Sequence, residues 1–447
     1  MKKFIETISN IWKIEELRQR ILVTLGLLLV YRFGAQVVLP GIDTNELASL
    51  NATAGEGILG LLNAFTGGAF ANASVFALGI MPYISASIVV QLMGIAIPYL
   101  QKLQKEGESG RKTINQITRW LTIAICVVQA PAYLYGLSAL GVPETAFLLG
   151  KGLDFVIPSV IILVTGTIFA MWLGEKITDK GIGNGISLLI MIGIIATMPQ
   201  SFVQEFVSRT TNNTGGIMFM LIEVIIWFLV ILASVLLVMA IRQIPVQYAR
   251  RTATGGYEKN MMGSRQYIPL KLNASGVMPI IFAQAIMFAP SLLGKTFNNT
   301  AVGQWMEVQF ADIFGLWYNV LFGILIIIFT YFYTAITVPT NKMADDLKRS
   351  GGFIPGIRPG KETGDYLDKI MSLITFPGSI FLALLAVLPA VVVKLMDVQA
   401  GWALFYGGTS LLIMVGVAID TVQQVNSYLL NRHYDGLMKT GKNRKVA

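Results

Sequence analysis

Apolar runs long enough to cross a lipid bilayer recur along this chain, near 21–40, 77–100, 119–141, 153–174, 183–200, 216–241, 274–294, 314–338, 373–395 and 402–423. A crossing takes about 20 such residues as a helix. Only helices and closed barrels satisfy their whole backbone inside hydrocarbon, and unbroken runs of this length read as helices. Composition agrees, with 54% of residues hydrophobic and 13% charged, where soluble domains have about a quarter charged. The expected fold is therefore an all-α polytopic membrane protein with ten transmembrane helices.

Ten crossings place both termini on one side of the membrane, and the cations say which. Of the 34 Lys and Arg, all but Arg32, Lys151, Arg209, Lys295 and Lys394 lie before span one, at 101–119, 175–182, 242–273 and 339–372, or after span ten. Such a bias marks the cytoplasmic side. It also accounts for most of the net charge of +9 without nucleic acid, which would require a compact basic face. The opening stretch MKKFIETISNIWKIEELRQR is basic and amphipathic. The apolar run behind it is too long for a signal-peptide core and lacks an A-x-A cleavage site, so it is expected to stay in the mature protein along the cytoplasmic surface.

Several chemistries lack their parts. Cys126 is the single cysteine and His433, in the polar tail, the single histidine. No intrachain disulfide, zinc cluster or serine–histidine relay can be assembled from them, and no catalytic residue, metal or cofactor is expected. Ionisable groups deep in spans are functional suspects, and here they are Arg32 in span one and Glu223 in span six, with Asp420 near the inner end of span ten. Arg32 is expected either to pair with backbone carbonyls or to reach outward.

Two nonapeptides give the chain an internal order: GIMPYISAS at 79–87 opens span two and GVMPIIFAQ at 276–284 opens span seven. They match at Gly79/Gly276, Met81/Met278, Pro82/Pro279, Ile84/Ile281 and Ala86/Ala283. Proline withholds a backbone donor and glycine adds freedom, so each helix should begin or break there. With five spans per half, the copies run in opposite directions. Gly/Pro-interrupted spans at matching places in inverted halves point to a central pathway. The halves are set at 1–207 and 208–447.

Helical spacing puts Ile80, Ile84, Ser87 and Gln91 on one stripe of span two, and Val277, Ile281 and Gln284 on the equivalent stripe of span seven. In span five, entered through GIGNGIS at 181–187, Ile186 and Ile190 share a face. The stretch GILGLLNAFTGGAFANAS at 57–74 is apolar yet too short and glycine-rich to cross. It is expected to be re-entrant, the alternative being an amphipathic helix resting on the outer surface. Two cytoplasmic loops, 242–273 and 339–372, exceed the needs of a connector and read as lacking apolar content. The second holds Arg358 between Pro355 and Pro359, a stiffened cation suited to docking a macromolecule.

These residues carry a resemblance over essentially the full length. The stretches ALGIMPYISASIVVQLM, QKEGESGRKTINQITRW, GIGNGISLL, IPLKLNASGVMPIIFA, GFIPGIRPGKET and GGTSLLIMVGVAID resemble the SecY/Sec61-alpha family of protein-export channel subunits. The resemblance implies a clamshell of two five-helix halves around an hourglass pore in the bacterial cytoplasmic membrane. Unfolded secretory polypeptides would cross it, and apolar segments would leave sideways into the lipid bilayer. It implies a constricting ring of Ile80, Ile84, Ile186, Ile190, Ile281 and Ile413. It further implies a plug at 57–74, including Gly57, Ile58, Leu59, Leu61, Leu62, Phe65, Gly67 and Gly68. Spans two and three against seven and eight would form a lateral gate with Ser87, Gln91, Gln129 and Gln284. Partners would be the small membrane subunits SecE and SecG, preproteins with signal sequences, and the motor ATPase SecA or a ribosome docking at Arg250, Arg251 and Arg358. The alternatives from the residues alone are an inverted-repeat secondary transporter for a small solute, against which the scarcity of midplane carboxylates argues, and an intramembrane enzyme.

Overall fold

Each of the ten expected runs carries a helix in the computed structural model, which describes residues 12, 14–43, 63–139, 146–148, 150, 152–211, 216–248, 265–296 and 301–443. Among the described residues, seven helices are long and apolar enough to cross a bilayer, and a bent pair makes an eighth if counted as one span. Chain contacts divide the molecule into two compact units, 1–217 with 398–405 and 417–447, and 218–397 with 406–416.

The first unit contains the helices Glu15–Gly34, Met81–Ala96, Pro98–Lys105, Glu108–Ala139, Leu153–Lys180 and Gly185–Thr211. The second expected span is not one rod. Ile97, forced extended by the proline that follows it, has φ −102 and ψ 116, and the chain turns by 102° there. Pro98 then opens the next short helix at a position where its missing donor is harmless. The core of this unit gathers Leu39, Ala73, Ala130, Leu137, Phe147, Phe155 and Leu163 around the ends of spans one, three and four.

Gly181–Gly185 would leave unpaired donors between two helices, and side chains take them up. The Ile182 amide donates to Thr24 Oγ1 at 3.1 Å, Gly183 to Gln424 Oε1 at 2.8 Å and Gly185 to Thr178 Oγ1 at 2.9 Å. Asn184 Oδ1 accepts from Ile186 and Ser187 at 3.2 and 3.4 Å, the role of a helix N-cap. At the far end of helix Gly185–Thr211, Glu205 and Arg209 form an ion pair at 2.8 Å with side chains 1% and 3% exposed. Glu205 Oε2 also accepts the Gln399 amide at 2.9 Å, so this buried pair clasps the 398–405 segment to span five.

The second unit holds helices Met278–Thr296, Ala301–Ala311, Leu316–Thr337, Thr340–Arg349 and Lys361–Met396, and residues 218–239 of the helix Gly216–Met239. The two long loops are not bare connectors. They form a three-stranded antiparallel sheet in the order β2-β1-β3, with β1 at Ile241–Tyr248, β2 at Arg265–Lys271 and β3 at Gly352–Phe353. In the first loop, β1 and β2 carry apolar residues at alternate positions, the period of a half-buried strand. Ile244, Val246 and Leu270 point into a small core with Leu347, Ile354, Leu367 and Met371. Reading them as without apolar content fails because short alternating patches are diluted by charge. Pro245 is tolerated in β1 because β3 pairs only with Gln247 and Tyr248, leaving that edge free of ladder bonds at the proline. The ninth span starts twelve residues earlier than 373, at Lys361, because its first turns serve this core.

Replacing Glu205 with alanine leaves a buried guanidinium without its carboxylate, which costs about 3–5 kcal/mol. The melting midpoint of the purified protein should fall clearly for Glu205→Ala and less for Glu205→Gln, which keeps an acceptor. Equal midpoints for Glu205→Ala and the parent would contradict the clasp.

Candidate functional site

Backbone that is neither helix nor sheet is affordable at membrane depth only inside protein or beside water. Residues 67–79, entered from a helical turn at 63–66, are such a stretch. Ala64, Phe65, Thr66, Ala69, Ala71, Ala73, Phe76 and Ala77 are all buried in the first unit, as a stretch packed inside protein would be. Local side chains serve the backbone. Thr66 Oγ1 accepts the Phe70 amide at 3.1 Å, Asn63 Oδ1 the Ala71 amide at 3.0 Å, and Tyr133 donates its hydroxyl to the Phe70 carbonyl at 2.8 Å. Val37–Leu39 adds a short ladder, Leu39 N–H to Ala73 O and Val75 N–H to Val37 O, each at 2.9 Å.

Arg32 and a pair of glycines pin this segment. Arg32 Nη1 donates to the Gly67 carbonyl at 2.8 Å, which realises the first of the two expectations for that cation. Gly67 has φ +66, and a Cβ there would lie 2.8 Å from the Gly193 Cα. A Cβ on Gly193 would lie 2.6 Å from the Phe65 carbonyl oxygen. Helix Gly185–Thr211 therefore meets the segment backbone to backbone, an approach only glycine permits. Of the residues implied for a plug, Phe65, Gly67 and Gly68 lie in this contact region, whereas Gly57, Ile58, Leu59, Leu61 and Leu62 lie outside the described residues.

Beside the segment is a cavity of about 180 Å³, lined among others by Arg32, Asn63, Asn72, Thr197, Gln200 and Gln204. A space this size holds several waters and offers each more than one polar partner. Its polar wall continues along the same helix that carries Ile186 and Ile190 at its start.

The two repeat copies take the same local form. Gly79 has φ +55 and Gly276 φ +63, Met81 and Met278 begin the helices, and Pro82 and Pro279 follow at the second position. Glycine supplies the left-handed residue and proline occupies a turn that needs no donor. In the first unit Ile80 and Ile190 are buried, and Ile84 and Ile186 half-buried. Ile186 packs toward Gly174, where a Cβ would come within 2.9 Å of its Cγ1. In the second unit Ile413 is buried and Ile281 half-buried. Val277 reaches Gly416, whose added Cβ would lie 3.4 Å from Val277 Cγ2. Ile281 and Ile413 sit one turn from that contact on the same helix faces.

Among the polar candidates, Gln91 donates to Ser87 Oγ at 3.3 Å, Gln284 is buried, and Gln129 is exposed. Arg358 projects from the sheet module with its side chain 87% exposed, 3.9 Å from Glu362. The flanking Gly356 and Gly360 have φ +86 and +113, Ile354 is buried beneath, and Thr363 Oγ1 donates to the Arg358 carbonyl at 2.8 Å. Arg250 and Arg251 lie outside the described residues, two and three positions beyond Tyr248, which pairs with Gly352. Sequence reasoning missed the Glu205–Arg209 pair and the Gly67–Gly193 contact. The first had a signal in its i,i+4 spacing of opposite charges.

Comparison with known proteins agrees with this geometry. The SecY family model matches residues 74–422. A protein translocase subunit SecY of Streptomyces coelicolor is 39% identical over 446 residues, covering 96% of this chain and 99% of its own. Solved structures share the fold. A protein-conducting channel, and a SecY protein whose plug domain stabilises the closed state and maintains a membrane seal, each match with TM-score 0.60, 18% identity and 92% of both chains. Sec61 from the canine ribosome–channel complex matches with TM-score 0.55, 16% identity and 92% of both chains.

Proposed function

The chain belongs to the SecY family, and on that premise we propose how it acts as the protein-conducting subunit of a translocase. Unfolded polypeptides pass through it across the cytoplasmic membrane, and apolar segments are released into the bilayer. A solute carrier with an ion-binding site is not supported. Residues 1–207 and 208–447 are the two proposed halves, with both termini in the cytoplasm.

The observation that carries the reading is the buried segment 63–79, non-helical from Gly67 onward, beside a polar cavity. An extended polypeptide cannot enter hydrocarbon, since each unsatisfied backbone group costs several kcal/mol. It needs a wet path that is blocked at rest. The pinned segment supplies the block, as the plug, and the polar wall of Arg32, Gln200 and Gln204 supplies the wet side. The ring of Ile80, Ile84, Ile186, Ile190, Ile281 and Ile413 dewets the narrowest point and grips no sequence. At the lateral gate, Ser87, Gln91, Gln129 and Gln284 present polar groups to a passing segment, and a segment rich in Leu, Ile, Phe or Val gains about 0.3–0.6 kcal/mol per residue by leaving into lipid.

Driving force comes from partners. The sheet module, with Arg358 exposed and Arg250 and Arg251 close to it in sequence, is the proposed dock for the SecA motor or a ribosome, and SecE and SecG complete the membrane complex. The related Sec61 bound to a ribosome supports that assignment.

Ile84→Asn or Ile281→Asn should wet the constriction. In proteoliposomes the resting ion leak should rise and poorly hydrophobic signal sequences should be exported; unchanged leak and unchanged discrimination would refute the ring. Arg358→Glu should cut SecA-driven transport several-fold with the melting midpoint unchanged, and transport at the full rate would refute the dock.

A further inference from the structure

The second unit carries a groove of about 430 Å³ between the antiparallel helices Leu316–Thr337 and Lys361–Met396, at the end of that hairpin away from the β-sheet. Its lining runs from Leu316 to Ile327 on one helix and from Lys394 back to Ile380 on the other. At 1.5 Å per residue these stretches cover about 16 and 21 Å. One leaflet of hydrocarbon is about 15 Å deep, so the groove descends from the membrane surface to roughly the bilayer centre.

Its shape and chemistry are graded along that depth. The inner part is aliphatic. Gly323 leaves it open, since a Cβ there would touch only Val387 Cγ2 at 3.7 Å and Ala383 Cβ at 4.0 Å. The mouth carries Lys394, which is exposed and forms no ion pair among the described residues. Nearby Asp312 is engaged at the chain's own turn, accepting the Phe314 amide at 2.9 Å. An apolar slot one leaflet deep with an unpaired ammonium at its rim complements an acyl chain below an anionic headgroup.

We propose that this groove is a binding site for one anionic phospholipid of the leaflet facing away from the sheet module, its acyl chain lying over Gly323 and its phosphate on Lys394. A basic residue at an anionic surface contributes about 1 kcal/mol, so phosphatidylglycerol should be preferred about fivefold over phosphatidylcholine. The site is independent of where the translocating chain runs.

The test uses the assembled translocase in vesicles of equal phosphatidylglycerol and phosphatidylcholine, with a photoactivatable acyl chain placed on each lipid in turn and adducts mapped by mass spectrometry. Expected is labelling concentrated on 316–327 and 380–394, about fivefold stronger from phosphatidylglycerol. Gly323→Leu should abolish it by filling the slot, and Val387→Phe should do the same from the other wall, which guards against a variant that fails to fold. Lys394→Gln should keep the labelling and lose the headgroup preference. Labelling spread evenly over other lipid-facing helices such as Gly216–Met239 would overturn the proposal. So would an unlabelled groove covered by another protein, or the absence of any headgroup preference.

Discussion

Hydrocarbon contains no water to pair with a peptide group, and each unpaired donor or acceptor left there costs several kcal/mol. Much of this structure follows from that cost. Where the chain is regular, helices pay it internally. Where it is irregular, polar side chains have been placed to meet it: Thr24, Thr178, Gln424 and Asn184 around the glycines before span five, and Asn63, Thr66, Tyr133 and Arg32 around the buried segment. Such concentrations of polar service mark the parts of a membrane protein that are not scaffold.

The same constraint explains the division of labour. A conduit for unfolded chains must be wet when open and tight when closed, without recognising any sequence. In the proposed reading, branched aliphatic side chains near glycine–proline helix starts seal by excluding water, and the glycine-to-glycine contact at Gly67 and Gly193 lets the proposed plug sit closely against span five. One charged hydrogen bond, from Arg32, is worth about 1.5–3 kcal/mol net. On the proposed reading, that bond adds to the bias toward the plug's resting position. The folded sheet module stands apart in chemistry, with its own small core and an exposed arginine, which suits the docking role proposed for it.

The spans were legible because an apolar run of this length has few other readings, and the matched helix starts were legible because Gly79 and Gly276, and Pro82 and Pro279, impose the same backbone whatever surrounds them. The break at Ile97 was written in Pro98 but was masked by apolar residues on both sides. The sheet was not legible as a sheet. Strands of eight and seven residues in which prolines and charges dilute the alternation resemble a solvated loop until a third strand and two helices arrive from far along the chain. Arg32 could be flagged as costly, but the identity of its acceptor depends on a turn formed 35 residues away. The clasp of Glu205 on Gln399 spans 194 residues, and no local pattern encodes that pairing.

In the proposed mechanism a translocating polypeptide passes over the first turns of spans two and seven. A secretory chain stalled in transit and carrying a photoreactive residue should crosslink to cysteines placed at Ile84 and Ile281. The product should vanish when the chain is released, and a cysteine at the exposed Leu229 should give none. Crosslinking at Leu229 equal to that at both isoleucines, or none at any of them while transport proceeds, would contradict it.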